Sequence, residues 1–294
     1  MNWAAFQTTV PAKWVLTGEH SVLKGAMAVA LPHPHLSLTL EFIPDSSLGA
    51  LVVYPAHTQE MLIQLLAEIL PAPLPSGRMT LLSQIPIGAG MGSSAALCVA
   101  LTQWLAPFLG LSPDQIISFA TELEHRFHGK SSGMDVAVIA SQTPISFRMN
   151  QGVEGIRRLE VKRLPYFTFH DTGIRSSTRD CIAQVNSYRK EQPEQAVISD
   201  QRMGDASLKA VEGLKKFDQG ETQEALGLLT QAIQDAQKSF YDWQLVPESA
   251  RALEQELYAQ GALAVKLTGA GGGGMMVALW DRCRDKESEL KELK

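Results

Sequence analysis

The sequence predicts an α+β chain in two domains, on three observations. Over residues 8–40, short apolar runs alternate with turn residues, as in an opening sheet. Three glycines at alternate positions, Gly88, Gly90 and Gly92, then stand between the apolar runs Met79 to Ile85 and Ala95 to Leu105, a strand–turn–helix pattern. From Leu164 a further strand pattern is followed by long helical ones. A chain of 294 residues fills one large domain or two modest ones, and two are expected, 1–163 and 164–294.

Composition narrows the function. A net charge of −5 argues against a general nucleic-acid or membrane-surface binder, both of which favour a basic face. Cys98, Cys181 and Cys283 are few, odd in number and widely spaced, which indicates neither a disulfide framework nor a zinc site and suits a reducing cytoplasm. The first basic side chain is Lys13, with no charged stretch and following apolar stretch of a signal peptide. The longest apolar stretch, Ala95 to Leu111, contains Thr102, Gln103, Pro107 and Gly110, so a buried helix is expected and no membrane span.

Taken in order, strand-like runs fall at Val10, Trp14 to Leu16, Ala26 to Leu31 and Leu36 to Phe42. Strand alternation sends Lys13, Val15 and Thr17 to one face. The lysine there either snorkels at a sheet end or aims into a site. Met61, Leu62, Leu65, Leu66 and Ile69 predict a helix over 57–70, and Pro71 to Gly77 a loop. The stretch Pro86 to Ala96 comes next. Its glycines let backbone approach a ligand, and Ser93 or Ser94 can cap the following helix, whose N–H groups and dipole favour an anion.

That stretch reads as a phosphate-binding loop or as a plain connection. No lysine follows the last glycine, so it is not a Walker loop, and its spacing misses the dinucleotide fingerprint and the nucleophile elbow. Ser112-Pro113-Asp114 starts another helix running to about Phe127, where Glu122, Glu124 and His125 crowd before the break Ser131-Ser132-Gly133. These acids are a solvated helix end or part of a site. Asp135 opens the apolar segment Val136 to Ala140, as a first-turn aspartate or as a reacting group. Thr143 to Met149 reads as a strand, and Arg157, Arg158, Lys162 and Arg163 as a solvated basic patch.

In the second half, residues 165–170 form a strand, Asp171-Thr172-Gly173 its turn, and Ser176-Ser177-Thr178 a helix cap. Helical patterns over 206–218 and 222–240 are core or dimer-facing, so a homodimer is the expected macromolecular partner, and Pro247 to Ala259 is a third helix. By letters alone Gly269, Gly271 and Gly274 satisfy the dinucleotide fingerprint, but an apolar strand-like run follows instead of a helix. A hairpin-like loop presenting bare backbone fits better. The charged tail from Asp281 reads as a solvated helix.

Together Lys13 to Gly25, Pro86 to Ala96 and Lys266 to Gly274 resemble, in order, the three signature motifs of the GHMP kinases. Ala12 to Gly25, Glu124 to Asp135 and the pair Asp171-Thr172-Gly173 and Ser177-Thr178 are most similar to the mevalonate kinase branch. The resemblance implies a two-domain GHMP kinase fold, an N-terminal βα domain with the phosphate loop and a C-terminal ferredoxin-like α/β domain. It also implies ATP-dependent phosphorylation of the primary hydroxyl of mevalonate or a similar hydroxy acid.

Under the resemblance, Pro86, Gly88, Ala89, Gly90, Met91, Gly92, Ser93, Ser94 and Ala95 hold ATP, and Ser94 and Glu124 hold Mg²⁺. Asp135 accepts or orients the substrate proton beside Lys13. Glu19, His20 and Thr178 become substrate contacts, with Gly271, Gly272 and Gly273 closing near substrate and phosphates. Arg175 is an additional candidate for the substrate carboxylate. The competing readings are a kinase for phosphomevalonate, homoserine or a sugar, a non-catalytic sensor on the same scaffold, and a nicotinamide enzyme, which the context of residues 269–274 disfavours.

Overall fold

The computed structural model describes residues 3–70, 73–128, 132–149 and 155–281. The expected tail helix beyond Asp281, with Cys283, and parts of the loops at Pro71 and at Gly129 to Ser131 lie outside the described residues. The elements are β1 (Phe6–Thr17), β2 (Ala28–Pro44), β3 (Leu51–Tyr54), α1 (Gln59–Ile69), β4 (Gly77–Ser83), α2 (Ser93–Leu109), α3 (Gln115–His128), α4 (Met134–Ser141), β5 (Ile145–Phe147) and β6 (Ile156–Arg158). They continue with β7 (Tyr166–Asp171), α5 (Thr178–Glu191), α6 (Pro193–Gln219), α7 (Thr222–Asp242), α8 (Glu248–Ala259), β8 (Ala264–Thr268) and β9 (Met275–Trp280). The α+β mixture is therefore as expected.

Two compact units form, each from several stretches of chain. The first holds the residues up to Lys13, Pro32–Pro86 and Gly92–Gln142; the second holds Trp14–Leu31, Ile87–Met91 and the residues from Thr143 on. The chain thus changes unit twice within the glycine loop.

In the first unit, Leu38 to Pro44 of β2 pair antiparallel with β4, and β3 pairs parallel with β4. The parallel pair needs a crossover, which α1 supplies by burying Leu62, Leu65 and Leu66. Helix α2 is buried on most of its circumference, from Ala95 to Leu105, and packs on α3 and α4. An aromatic cluster of Trp3, Phe42, Trp104 and Phe108 closes the unit. The two runs expected on either side of Pro32 and Pro34 are one strand. His33 explains how: its Nδ1 accepts from the N–H groups of His35 and Leu36, so a side chain serves donors just past the prolines.

In the second unit, Ala28 to Ala30 pair antiparallel with β5, and β5 with β6. A separate antiparallel sheet runs in the order β7-β9-β8, with β8 and β9 buried along their whole length. Helix α5 is capped as expected, Ser177 accepting from the N–H of Asp180. Helix α6 begins at Pro193, well before the expected residue 206, because proline suits a first helical turn, and it stops at Gly220 with φ of 91°. It packs on α7 so closely that a Cβ on Gly213 would come within 2.7 Å of Leu229. The basic patch is solvated as expected, Arg157, Arg158, Lys162 and Arg163 all being exposed, while the backbone N–H groups of Lys162 and Arg163 donate to Asp218.

Candidate active site

Strand alternation fails at the end of β1, where every residue from Ala12 to Thr17 is buried. Lys13 is 4% exposed. A sheet-end snorkel is therefore the wrong reading of it, since its ammonium is turned inward, 2.9 Å from Oδ2 of Asp135. Asp135 lies in the first turn of α4, whose cap Gly133 has φ of 78°, so the carboxylate is at a helix N-terminus as well as beside a cation.

Gly92 joins the pair to the loop. Its φ is 75°, and a Cβ there would stand 2.8 Å from Cγ of Lys13 and 3.3 Å from Ile139 of α4. Only glycine serves both demands, left-handed backbone and room for the lysine stem. Gly92 is also the N-cap of α2, so Ser93 and Ser94 occupy the first helical turn and neither is the cap the sequence suggested. The first-turn N–H groups of this buried helix can receive an anion.

Glu124, on α3, is 4% exposed rather than a solvated helix end. Burial foremost and the Glu124 charge next push the Cys98 thiol up, which places the carboxylate near α2. Cys98 is four residues on from Ser94, on the same face of that helix. A hard oxygen pair of this kind fits Mg²⁺, which usually takes one or two protein oxygens and completes its shell with phosphate and water. No three His, Cys, Asp or Glu side chains gather as a metal cluster among the described residues.

The second unit brings the two glycine segments together backbone to backbone. A Cβ on Gly90 would meet the Thr268 carbonyl at 3.2 Å, one on Gly269 the Gly90 Cα at 3.2 Å, and one on Gly274 the Ala89 carbonyl at 2.7 Å. The later segment is the loop of the β8–β9 hairpin, as expected. Its bare backbone also faces protein: Gly271 lies against Phe240 and Leu245, Gly272 against Ser176 and Cys181, and Gly273 against Ile174. Hydrogen bonds fasten it, from the Ser176 hydroxyl to the Gly271 carbonyl and from the Gly272 N–H to Leu245. Gly88, Ala89, Gly90, Ser176, Thr178 and Gly273 are among the residues lining one small cleft.

Glu19 and His20 are buried in the same unit. Nε2 of His20 donates to the Ala270 carbonyl at 2.7 Å, and its ring stands edge-on to Trp243. Burial foremost lowers its pKa to about 4, so the ring is neutral at pH 7. Oε1 of Glu19 accepts from Lys266 at 2.5 Å. Arg175, by contrast, is exposed and makes a two-pronged bond to Asp171, 2.7 and 2.6 Å, while its stem passes Gly88. Pro86 and Ala95 fall in the first unit, and Met91 is buried in the second.

Sequence reasoning assigned no role to Lys266, Thr268 or Arg189. The Thr268 hydroxyl accepts from the Val15 N–H and donates to the Val15 carbonyl; Arg189, paired with Asp200, donates to the His20 carbonyl at 3.2 Å. One signal was available, a lysine inside the apolar run Ala264-Val265-Lys266-Leu267.

A glycine loop opening a buried helix, with a lysine–aspartate pair against its last glycine, is an arrangement that can serve phosphoryl transfer. Comparison with known proteins supplies the family. Residues 57–143 match the GHMP kinases N terminal domain and residues 210–293 the GHMP kinases C terminal domain. A mevalonate kinase of Pyrococcus furiosus is 30% identical over 92% of this chain and 88% of its own. Among solved structures, L. major mevalonate kinase in complex with R-mevalonate superposes with a TM-score of 0.78 at 23% identity, covering 98% of this chain and 91% of that one. The Methanococcus jannaschii mevalonate kinase gives 0.76 at 18%, covering 100% and 96%. The chain belongs to the GHMP kinases, and its fold is their two-domain fold.

Proposed function

We propose that the chain is a mevalonate kinase, transferring the γ-phosphoryl group of ATP to the primary hydroxyl of mevalonate. The observation that carries the chemistry is the Lys13–Asp135 pair, held by Gly92 at the start of α2. What favours this acceptor over phosphomevalonate, homoserine or a sugar is the name shared by the 28–30% identical relatives over nearly the full chain. A sensor without activity has no use for an inward lysine paired to a carboxylate that is still 27% exposed.

Backbone N–H groups from Gly88 to Ser94 receive the β- and γ-phosphates. Asp135 accepts a hydrogen bond from the acceptor hydroxyl and takes its proton as the new bond to phosphorus forms. Lys13, 2.9 Å away, orients that carboxylate and offsets negative charge on the group in flight. Ser94 and Glu124 would hold Mg²⁺, which would supply neutralisation of the phosphate charge when bound with the nucleotide. Glu19, His20 and Thr178 contact the acceptor, and Arg175 takes its carboxylate by exchanging Asp171 for it. Gly271 to Gly273 shape the acceptor pocket. A cytoplasmic location goes with this reading. No described helix is long and apolar enough to cross a membrane.

An ADP-release assay with Mg·ATP over mevalonate, phosphomevalonate, homoserine and galactose tests it. Mevalonate should give the highest kcat/KM. Turnover confined to another acceptor would replace the substrate, and none with any would return the sensor reading.

A further inference from the structure

Lys266 is wholly buried in β8, where a methionine of similar length would fill the space without the cost of desolvating a charge. Its Nζ donates to Glu19 and, at 3.3 Å, to the Val15 carbonyl, and stands 5.2 Å from the centre of the Phe240 ring. Two residues on, Thr268 holds both backbone polar groups of Val15. Two further on, the Ala270 carbonyl takes the His20 ring. Three groups at alternate positions of one strand and its loop thus grip the segment Val15 to His20.

The segment needs such a grip. His20 has φ of 57° and ψ of −40°, which a non-glycine residue adopts only when its surroundings enforce it. The backbone polar groups around it are tied as well, Arg189 to the His20 carbonyl and the Val22 N–H to Gly18. Nothing in the phosphate-transfer chemistry uses Lys266 directly.

We propose that Lys266 is a positioning residue for the acceptor: its ammonium fixes the Glu19 carboxylate and, through it, the bend that presents His20. The inference rests on the kinase reading for the role of the Glu19-His20 turn. Loss of Lys266 then loosens acceptor binding and leaves nucleotide binding alone, a split that general destabilisation does not produce.

The test is a double-mutant cycle on the full chain with Lys266→Met, Glu19→Gln and both together, read as KM for mevalonate and for ATP. Lys266→Met should raise the mevalonate KM about 10-fold or more, with the ATP KM within about twofold. Added to Glu19→Gln it should raise the mevalonate KM no further. An unchanged mevalonate KM, an equal rise in both KM values, or additive effects would overturn the proposal. Should Lys266→Met not fold, Lys266→Arg keeps the charge but not the point geometry, and must still raise the mevalonate KM selectively. A wild type inactive with mevalonate sinks the substrate reading instead. The imidazole NMR signal of His20 then decides here: it must move in Lys266→Met or Lys266→Arg, and an unmoved signal defeats the positioning role.

Discussion

Lys13 with Asp135 in the first unit and Lys266 with Glu19 in the second are the same two charges at two degrees of enclosure. The side chains of the first pair are 5% and 27% exposed, those of the second 0% and 3%. A carboxylate that keeps part of its surface open can take a proton from a substrate hydroxyl; one bound to a buried ammonium is held in place and positions what it touches. Enclosure, rather than residue type, is what divides chemistry from positioning in this chain.

Substituting the open pair gives the largest expected effect. Asp135→Asn keeps the shape of the side chain and removes its basicity, which should lower kcat about 10²- to 10⁴-fold with Mg·ATP affinity unchanged. Pre-steady-state phosphorylation and nucleotide titration read the two separately. A kcat within a few fold of wild type would take Asp135 out of the reaction and erase the contrast.

The sealed pair answers in stability. Lys266→Met leaves a buried carboxylate without its closest cation, at a cost of about 3–5 kcal/mol in denaturant unfolding. Replacing both partners together, Glu19→Gln with Lys266→Met, should recover most of that loss, because no charge is then left buried. A double variant no more stable than Lys266→Met would mean the lysine contributes through packing on Phe240 instead.

These two pairs were not equally legible in the sequence. Asp135 and Lys13 could be suspected from local signals, an aspartate opening an apolar helix and a lysine in a buried strand. Glu19 and Lys266 are 247 residues apart, and no periodicity carries a contact of that separation. The same division runs through the fold. The glycine turn and α2 were readable because glycine spacing and a long apolar run are local. The first half of α6 was not, because its buried face is made of Ala196, Ser199 and Met203, which leave no strong apolar stripe. Strand β3 has only the four residues Leu51–Tyr54, too few to show alternation.

Acid should weaken both units through one histidine each. Burial foremost lowers the pKa of His20, in the second unit, and of His33, in the first, to about 4, against about 6.5 when unfolded. For a base with a lowered folded pKa, the unfolded chain binds the extra proton between those values. Stability is therefore whole above pH 6.5 and declines as pH falls toward 4, by up to about 3 kcal/mol per histidine. Urea unfolding at pH 7.5, 5.5 and 4.5 measures it. His33→Gln should remove about half of the decline; an equally steep curve in that variant would place the acid sensitivity elsewhere.

The smallest effect separates two glycines at opposite ends of α2. Gly92 and Gly110 both have left-handed φ, 75° and 67°, so alanine at either costs about 1–2 kcal/mol of stability. Around Gly110 a new Cβ meets nothing within 4 Å, while at Gly92 it would drive against the Lys13 stem. Gly110→Ala should therefore lose stability alone. Gly92→Ala should lose a similar amount and also kcat, by about 10-fold or more, since displacing Lys13 loosens its ion pair with Asp135. Equal kcat in the two variants would show that the open pair tolerates movement of its lysine, and that the tightness at Gly92 is a matter of packing only.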